Sequence, residues 1–322
     1  MNGTREKSLR AKKQNKKRKT WLWVTLSIIG VLLLGAGLYA GYLVKRTNDT
    51  VANIQEEVKI EKTKPVVNLE KKDPISILLM GVDERKGDSG RSDSLIYMTV
   101  NPNKKEMHMV SIPRDTRTEI VGNNTTDKIN HAYAFGGTSM AIATVQKFLG
   151  VDVDYFVKVN MESFKQIVDT VGGIEINNHL AFTYEKETFE KGPITLNGEQ
   201  ALKYSRMRYE DPDGDFGRQL RQRKVIEAVI AKGANVQSIT KFGDMLSVVE
   251  NNVKTNLSFD NMWDMVSNYR DASSKMVQHS IEGKDTKIDG VYYLEVPEEA
   301  RTALTKELQE SLDITPSTAS SN

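Results

Sequence analysis

The feature that most constrains this chain is a run of 24 residues without a charge, Trp21 to Val44. A helix needs about 20 apolar residues to cross a bilayer core. Trp21, Trp23, Tyr39 and Tyr42 stand near its two ends, where amphipathic rings settle at the membrane–water boundary. Nine basic residues between Arg5 and Lys19 precede the run, and only Lys45 and Arg46 follow it before acids appear. That asymmetry predicts a single-pass segment in the cell membrane, with the N-terminus cytoplasmic and everything after residue 46 outside. A cleaved signal peptide has a shorter apolar core, about 7–15 residues, ending at a site of the A-x-A type. Here the core is longer and Leu38 spoils the site before Ala40, so a retained anchor is expected. Gly37 and Gly41 form one GxxxG, a weak signal of helix pairing.

The charge of what lies beyond the anchor excludes one class of partner. The whole chain has 45 Lys and Arg against 43 Asp and Glu; residues 1–46 take 11 of the former and one of the latter. Residues 47–322 are left with 34 basic and 42 acidic groups, a net of −8. An acidic body is the wrong sign for nucleic acid, which is held by a basic face. The chain has no cysteine, so neither a disulfide nor a thiolate metal site can form.

Five segments are predicted along the chain. Residues 1–20 form a basic cytoplasmic tail, 21–44 the transmembrane helix, 45–73 a polar stalk, 74–312 one folded domain and 313–322 a loose tail. Within the domain, Ile75–Met80, Leu95–Val100 and Met107–Ile112 are short β-branched, apolar runs separated by turn residues and are predicted strands. A helix from Thr138 or Ser139 to Leu149, a strand at Tyr155–Val159, a helix at Met161–Val171 and a strand at Ile174–Ile176 should follow. Further on, helices are predicted at Asn197–Tyr204, from Phe216 to Lys232, and near 238–251, 258–269 and 297–308. Strands are predicted near 277–281 and 291–296. The alternation argues for a mixed α/β domain, a sheet between helical layers, of a size that one core can support.

The most unusual stretch of that domain is Tyr204 to Lys224, YSRMRYEDPDGDFGRQLRQRK. It holds Arg206, Arg208, Arg218, Arg221 and Arg223, with Asp211, Asp213 and Asp215 on a Pro/Gly turn between two halves. Arg206 and Arg208, two apart in an extended piece, should point to one side. Arg218, Arg221 and Gln222, three and four apart, should share one stripe of the first helical turn. Guanidinium groups pair with phosphate oxygens in parallel hydrogen bonds, and a helix N-terminus adds free N–H groups, so a pyrophosphate suits both halves. The plain alternative is surface charge paired with Glu210 and the aspartates beside it.

Two more constellations bear on this reading. Asp83 and Asp93 lie in GVDERKGDSGRSDS, between two strands, and two carboxylates without His or Cys suit a hard cation such as Mg²⁺. Acids in a Gly/Ser loop are also common turn formers. Arg91, two residues before Asp93, adds a guanidinium next to that metal position, a usual pairing around phosphate. SIPRDT, residues 111–116, ends the third strand with Arg114 and Asp115, either a site element or a strand-ending ion pair. KINHAYAFGG, residues 128–137, offers Lys128 and His131 as rim residues. The alternating aspartates at 211, 213 and 215 are not an EF-hand, because Gly217 falls one place late and Gln222 stands where a bidentate Glu is needed. Neither a GxSxG elbow nor a P-loop is present.

Taken together, ILLMGVDER, GRSDS, SIPRD, KINHAYAFGG and the RMRYEDPDGDFGRQLRQR stretch, within Ile75–Ala231, resemble the LytR-CpsA-Psr proteins of Gram-positive cell envelopes, most closely their wall teichoic acid transferases. The resemblance implies an extracellular α/β catalytic domain with a hydrophobic tunnel for a polyprenyl chain. It implies transfer of a glycopolymer from a polyprenyl-pyrophosphate carrier to peptidoglycan, leaving a phosphodiester and releasing polyprenyl phosphate. It also implies that Asp83 and Asp93 hold Mg²⁺ (or Mn²⁺), and that Arg91, Arg114, Arg206, Arg208, Arg218 and Gln222 bind the pyrophosphate.

In such a reaction Arg91 and Arg114 are the arginines expected to act on the reacting phosphoryl group, and the acceptor hydroxyl needs a base. Asp215, between the two arginine groups, is the first candidate and Asp115 the second. Two other functions use the same residues. A non-catalytic binder of polyprenyl-phosphate lipid or anionic envelope polymer would need the arginines but not the carboxylates in register, and a pyrophosphate hydrolase would use every residue named. A DNA-binding attenuator is opposed by the acidic body and its side of the membrane.

Overall fold

The structure, a computed structural model, describes residues 52–83, 90–233, 247–248 and 252–315. The chain divides into two compact units, Met1–Asp49 and Thr50–Asn322, and every described residue belongs to the second. The apolar run at 21–44 therefore lies outside the described residues, as does most of the helix predicted near 238–251. Among the described residues no helix is long and apolar enough to cross a membrane.

The first three predicted strands form, as β1 (Ile75–Val82), β2 (Ser92–Asn101) and β3 (Glu106–Ile112). They pair as an antiparallel meander. Two edges extend it: β6 (Tyr155–Val159) lies parallel to β1, and β12 (Lys275–Ser280) lies parallel to β3. With β11 (Val253–Thr255) beyond β6, the sheet has six strands in the order β11-β6-β1-β2-β3-β12.

Both faces of this sheet are apolar, which is why its strands read as near-continuous hydrophobic runs. On one face Leu78, Met80, Leu95, Tyr97, Val110 and Ile112 pack with α1 (His131–Leu149) and α6 (Glu298–Ser311). On the other, Ile75, Ile96, Met98, Met107 and Met109 meet α5 (Phe259–Asn268) and a 3₁₀ turn, Arg270–Ser274. The expected sheet between helical layers is thus what forms. The helix expected from Thr138 begins earlier, at His131, but its backbone breaks at Gly136 and Gly137, where Gly137 has φ of 63°.

A second, smaller core stands beside the sheet. It joins β7 (Ile174–Asn178), β10 (Gly192–Leu196) and the β8–β9 hairpin (Phe182–Tyr184, Glu187–Phe189) to α2 (Met161–Thr170) and α3 (Gly198–Arg206). Asn160 and Asn197 cap α2 and α3 by accepting from the N3 backbone N–H, while Ser163 and Gln200 return the bond. Both cores are met by α4 (Gly214–Gly233): Val225 and Val229 face the small one, Ile226 and Ile230 the sheet. That double footing fixes where the arginines of its first turns point.

The stalk expectation is corrected for its described part. Ile54 and Leu69 are buried, and the Glu56 N–H donates to the Thr255 carbonyl at 2.8 Å. Lys62 and Lys64 pair with the buried Asp154 at 3.2 and 2.7 Å, and the Thr63 N–H donates to Asp152 at 2.8 Å. Residues 52–73 thus include a strap closed on the domain; their polar composition hid this because a few scattered apolar residues, such as Ile54 and Leu69, reach the core while the rest is held by carboxylates. At the other end, Asp313 and Ile314 also remain attached, through Lys104 at 2.7 Å and the Gln309 carbonyl at 2.9 Å.

Candidate active site

The strands β1, β3, β6 and β12 run in one direction, so their carboxyl ends share one edge of the sheet, the edge where open α/β sheets bind ligands. Asp83 follows β1 directly, Arg114 follows β3, and Asp93 lies near the start of β2. The pairing of β1 with β2 skips a residue here: Gly81 faces Ser94 and Val82 faces Ser92. Asp93 is the residue left over. A bulge of this kind kinks the strand and re-aims the side chain, and the Asp93 carboxylate accepts a hydrogen bond from Arg114 Nη1 at 2.9 Å.

Arg114 is held from behind by its own loop. Its carbonyl accepts from the Asn130 N–H at 3.3 Å, and the Thr116 carbonyl accepts from the Ile129 N–H at 2.8 Å. Lys128, on β5 (Thr125–Lys128), closes the same corner with an ion pair to Asp115 at 2.6 Å. Burial disfavours the charged form of Arg114, but the hydrogen bond and charge of Asp93, with Asp115 and Asp215 behind it, raise its pKa overall.

The third part comes from α4. Asp215, in its first turn, sits 2.7 Å from Arg218 Nη2 and 3.5 Å from Arg208 Nε. Arg218 is buried enough that desolvation pulls its pKa down, and the neighbouring charges of Arg114 and Arg208 add to this while Asp215 and Asp93 oppose it. Its Nε is buried without a hydrogen-bond partner. Asp215 Oδ1 likewise lacks an aligned donor despite the close guanidinium, while its Oδ2 accepts from Gln219 at 2.9 Å. One turn on, Gln222 accepts from the Ser94 hydroxyl at 3.1 Å, tying α4 to the start of β2. Three guanidinium groups with an unused donor and only carboxylates between them form a site that a multiply charged anion would complete.

The turn before α4 is built to allow this. Asp211 accepts from the Asp213 N–H at 2.8 Å, and Gly214 takes φ of 54°, a conformation that costs glycine little. A Cβ on Gly217 would fall 2.0 Å from Asp211 Oδ2, so only glycine lets the helix start against that carboxylate.

Several sequence expectations need correction. Arg221 does not share the stripe of Arg218: its side chain is 0% exposed and bonds Asp211, the Met207 carbonyl and the Tyr204 carbonyl, the last at 3.1 Å. Arg223 is buried too, donating to Ser111 at 2.8 Å and Gln278 at 3.0 Å. Both hold α4 in place. Nor do Arg206 and Arg208 stand together in one extended piece. Arg206 ends α3 and pairs with Glu185 at 3.6 Å, whereas Arg208 follows the cap residue Met207 and turns to Asp215. Arg91 is exposed, with no ion pair to a described residue, and Asp83 adjoins residues 84–89, which are not described.

A divalent cation is compatible with the carboxylates present. Asp83 lies one residue beyond Val82, and Asp93 sits in the bulge opposite that residue, so two oxygen donors stand at the end of one hairpin. Among the described residues no group of three or more His, Asp or Glu is arranged to hold a metal. A cation here would rest on these two carboxylates and complete its shell with water and ligand oxygens, the habit of Mg²⁺.

A polyisoprenyl-teichoic acid–peptidoglycan teichoic acid transferase TagU of Bacillus subtilis (strain 168) is 60% identical over 301 residues, covering 93% of this chain and 98% of that protein. Its counterpart in Bacillus licheniformis is 58% identical over 306 residues, covering 95% and 100%. The crystal structure of B. subtilis TagU matches with a TM-score of 0.63 at 59% identity, over 76% of this chain and 99% of that one. TagT bound to LIIa-WTA matches with a TM-score of 0.68 at 30% identity, over 80% and 97%. With residues 41–310 matching the LytR_cpsA_psr family, and with relatives of this identity over nearly its whole length, the chain belongs to that family.

Proposed function

We propose that this chain transfers a teichoic acid from a polyprenyl-pyrophosphate carrier to peptidoglycan, forming a phosphodiester and releasing polyprenyl phosphate. The observation that carries the reading is the convergence of Arg114, Arg208 and Arg218 on two carboxylates at the sheet edge, with one buried guanidinium donor unused. The transferases named above supply the substrate class.

In the chain as it stands, Asp93 and Asp215 occupy the arginines where phosphate oxygens would bind. The donor pyrophosphate exchanges with them, and the guanidinium groups neutralise charge as it develops on the bridging and leaving oxygens. The acceptor hydroxyl oxygen bonds to the phosphorus that carries the sugar, the bridging P–O bond breaks, and polyprenyl phosphate departs. Asp215 takes the hydroxyl proton. Its place between Arg208 and Arg218 supports this role, whereas Asp115 is turned to Lys128. Arg91, exposed at the hairpin end, closes on the donor from the solvent side. A Mg²⁺ or Mn²⁺ held by Asp83 and Asp93 would add positive charge at the pyrophosphate oxygens. The anchor at Trp21–Val44 keeps the domain outside the cell beside its lipid-linked donor.

The test is a reconstituted transfer assay with the full chain, lipid-linked donor and peptidoglycan. Asp93→Ala should abolish turnover while retaining most donor binding, and chelation should abolish turnover of the parent chain until Mg²⁺ is restored. Full turnover of Asp93→Ala under chelation would remove the metal from the mechanism. Free glycopolymer phosphate formed in the presence of acceptor would make the protein a hydrolase.

A further inference from the structure

A hairpin that the sequence reading left without a role borders the site. Its strands, β13 (Lys284–Ile288) and β14 (Val291–Glu295), pair with Asp285 opposite Leu294 and Lys287 opposite Tyr292. The hairpin is fastened by backbone and side chains: the Leu294 N–H donates to the Asp115 carbonyl at 2.9 Å, Leu294 forms a bridge with Thr116, and the Tyr293 hydroxyl donates to Asp127 at 3.4 Å. Its anchorage is therefore one residue from Arg114.

What the hairpin presents there is aromatic and polar. Tyr292 is 37% exposed, and its hydroxyl donates to Asp285 at 2.8 Å. Lys128 Nζ lies 5.9 Å from the centre of the Tyr292 ring and 5.8 Å from that of Tyr293, and the same ammonium pairs with Asp115. The charges of Asp285, Asp115 and Asp215 all bear on the Tyr292 phenol, which after burial is pushed up to about 12 and so stays protonated. The exposed ring thus stands beside the ammonium that pairs with Asp115, one of the two carboxylates that can receive the acceptor's proton.

We infer that the β13–β14 hairpin is the acceptor subsite, with Tyr292 stacking on a sugar ring of the glycan strand and Asp285 fixing the phenol's orientation. The inference rests on the transferase reading, since it assigns that reaction's second substrate. The argument is geometric. A sugar laid on Tyr292 brings its hydroxyls toward the corner formed by Lys128 and Asp115, next to Arg114, and an in-line displacement needs the nucleophile to arrive on a face the lipid phosphate does not occupy. Aromatic faces receive the C–H face of a pyranose, and the polar groups around the rim bond its hydroxyls.

The experiment compares Tyr292→Ala and Tyr292→Phe in the full chain, using lipid-linked donor and soluble peptidoglycan glycan fragments. Tyr292→Ala should raise the acceptor KM by about fivefold to tenfold, the scale of one aromatic contact, with donor affinity unchanged. Tyr292→Phe should stay within about twofold on the same scale. Unchanged donor affinity also certifies that the variant is folded. If acceptor KM does not move in Tyr292→Ala, or donor affinity falls with it, the subsite is not at this hairpin. If the parent chain fails to modify peptidoglycan at all, the transferase reading itself falls and takes the subsite with it.

Discussion

Arg218 and Arg221 are three residues apart on one helix and have opposite fates. Arg218 lies at the sheet edge, paired with Asp215 and with its Nε unpartnered among the described residues, a guanidinium waiting for an anion. Arg221 is wholly enclosed beneath the turn, with Asp211 and two carbonyls giving each of its nitrogens an acceptor and the Phe182 ring 5.3 Å away. The same residue type in one motif therefore serves chemistry in one place and architecture in the other. What separates them is the second core: α4 turns one side to it, and whatever points that way must be satisfied by protein.

Breaking the buried pair should have the largest effect on the fold. Arg221→Ala leaves Asp211 as a buried carboxylate without its cation, which typically costs about 3–5 kcal/mol, so denaturant unfolding should show a loss of unfolding free energy of that size. A loss under about 1 kcal/mol would mean that water replaces the guanidinium and that Arg221 is not structural in this sense.

Arg218→Ala should do the converse. Stability should change little, while transfer falls by about a hundredfold or more, the usual result of removing one preorganised donor to developing charge. Arg206→Ala sharpens the contrast within the site: paired at the surface with Glu185, it should lower transfer by no more than about threefold, as weak exposed pairs do. A loss as great as that of Arg218→Ala would show that the donor draws Arg206 away from Glu185.

The smallest effect concerns another buried polar pair. His108 Nδ1 and His279 Nε2 are 2.9 Å apart across β3 and β12, flanked by Glu106, Glu307, Lys275 and Arg223. Burial lowers the pKa of both rings from the ordinary 6.5, so the unfolded chain binds protons there before the folded one does. Stability should be fully present above about 6.5 and decline as pH falls through the lowered values. His279→Gln should flatten that slope in a pH series of thermal unfolding. An unchanged slope would place the pH sensitivity elsewhere.

Much of the fold was legible because periodicity reports burial on both faces of a sheet. Strands β1, β2, β3 and β6 and helices α2 and α5 lie within two or three residues of their expected bounds, since apolar runs and capping residues mark them. The small hairpins β4–β5 (Arg117–Ile120, Thr125–Lys128) and β8–β9, and the first strand of β13–β14, are not expected from the sequence, being only three to five residues per strand and mostly polar, whereas β14 lies where a strand is predicted. The site was half legible. Arg114, Arg218, Gln222, Asp93 and Asp215 are named from the sequence, and Ser94 lies in GRSDS without a role assigned there, but Glu185 and Tyr292 carry no motif that sets them apart. Tyr292 might have been sought only as an aromatic in a polar hairpin, a signal shared with many surface strands.

The amino-acid sequence alone settled the chemistry available: arginines and carboxylates without cysteine, on a mixed α/β domain, behind a run of 24 uncharged residues. It could do so because residue type and local spacing fix charge, hydrogen-bonding capacity and helix or strand preference. Which guanidinium meets a ligand and which is sealed inside was decided only by tertiary packing. Burial depends on what a helix is pressed against, and in α4 that partner comes from strands and loops distant in sequence, such as Ser111 beneath Arg223, 112 residues away.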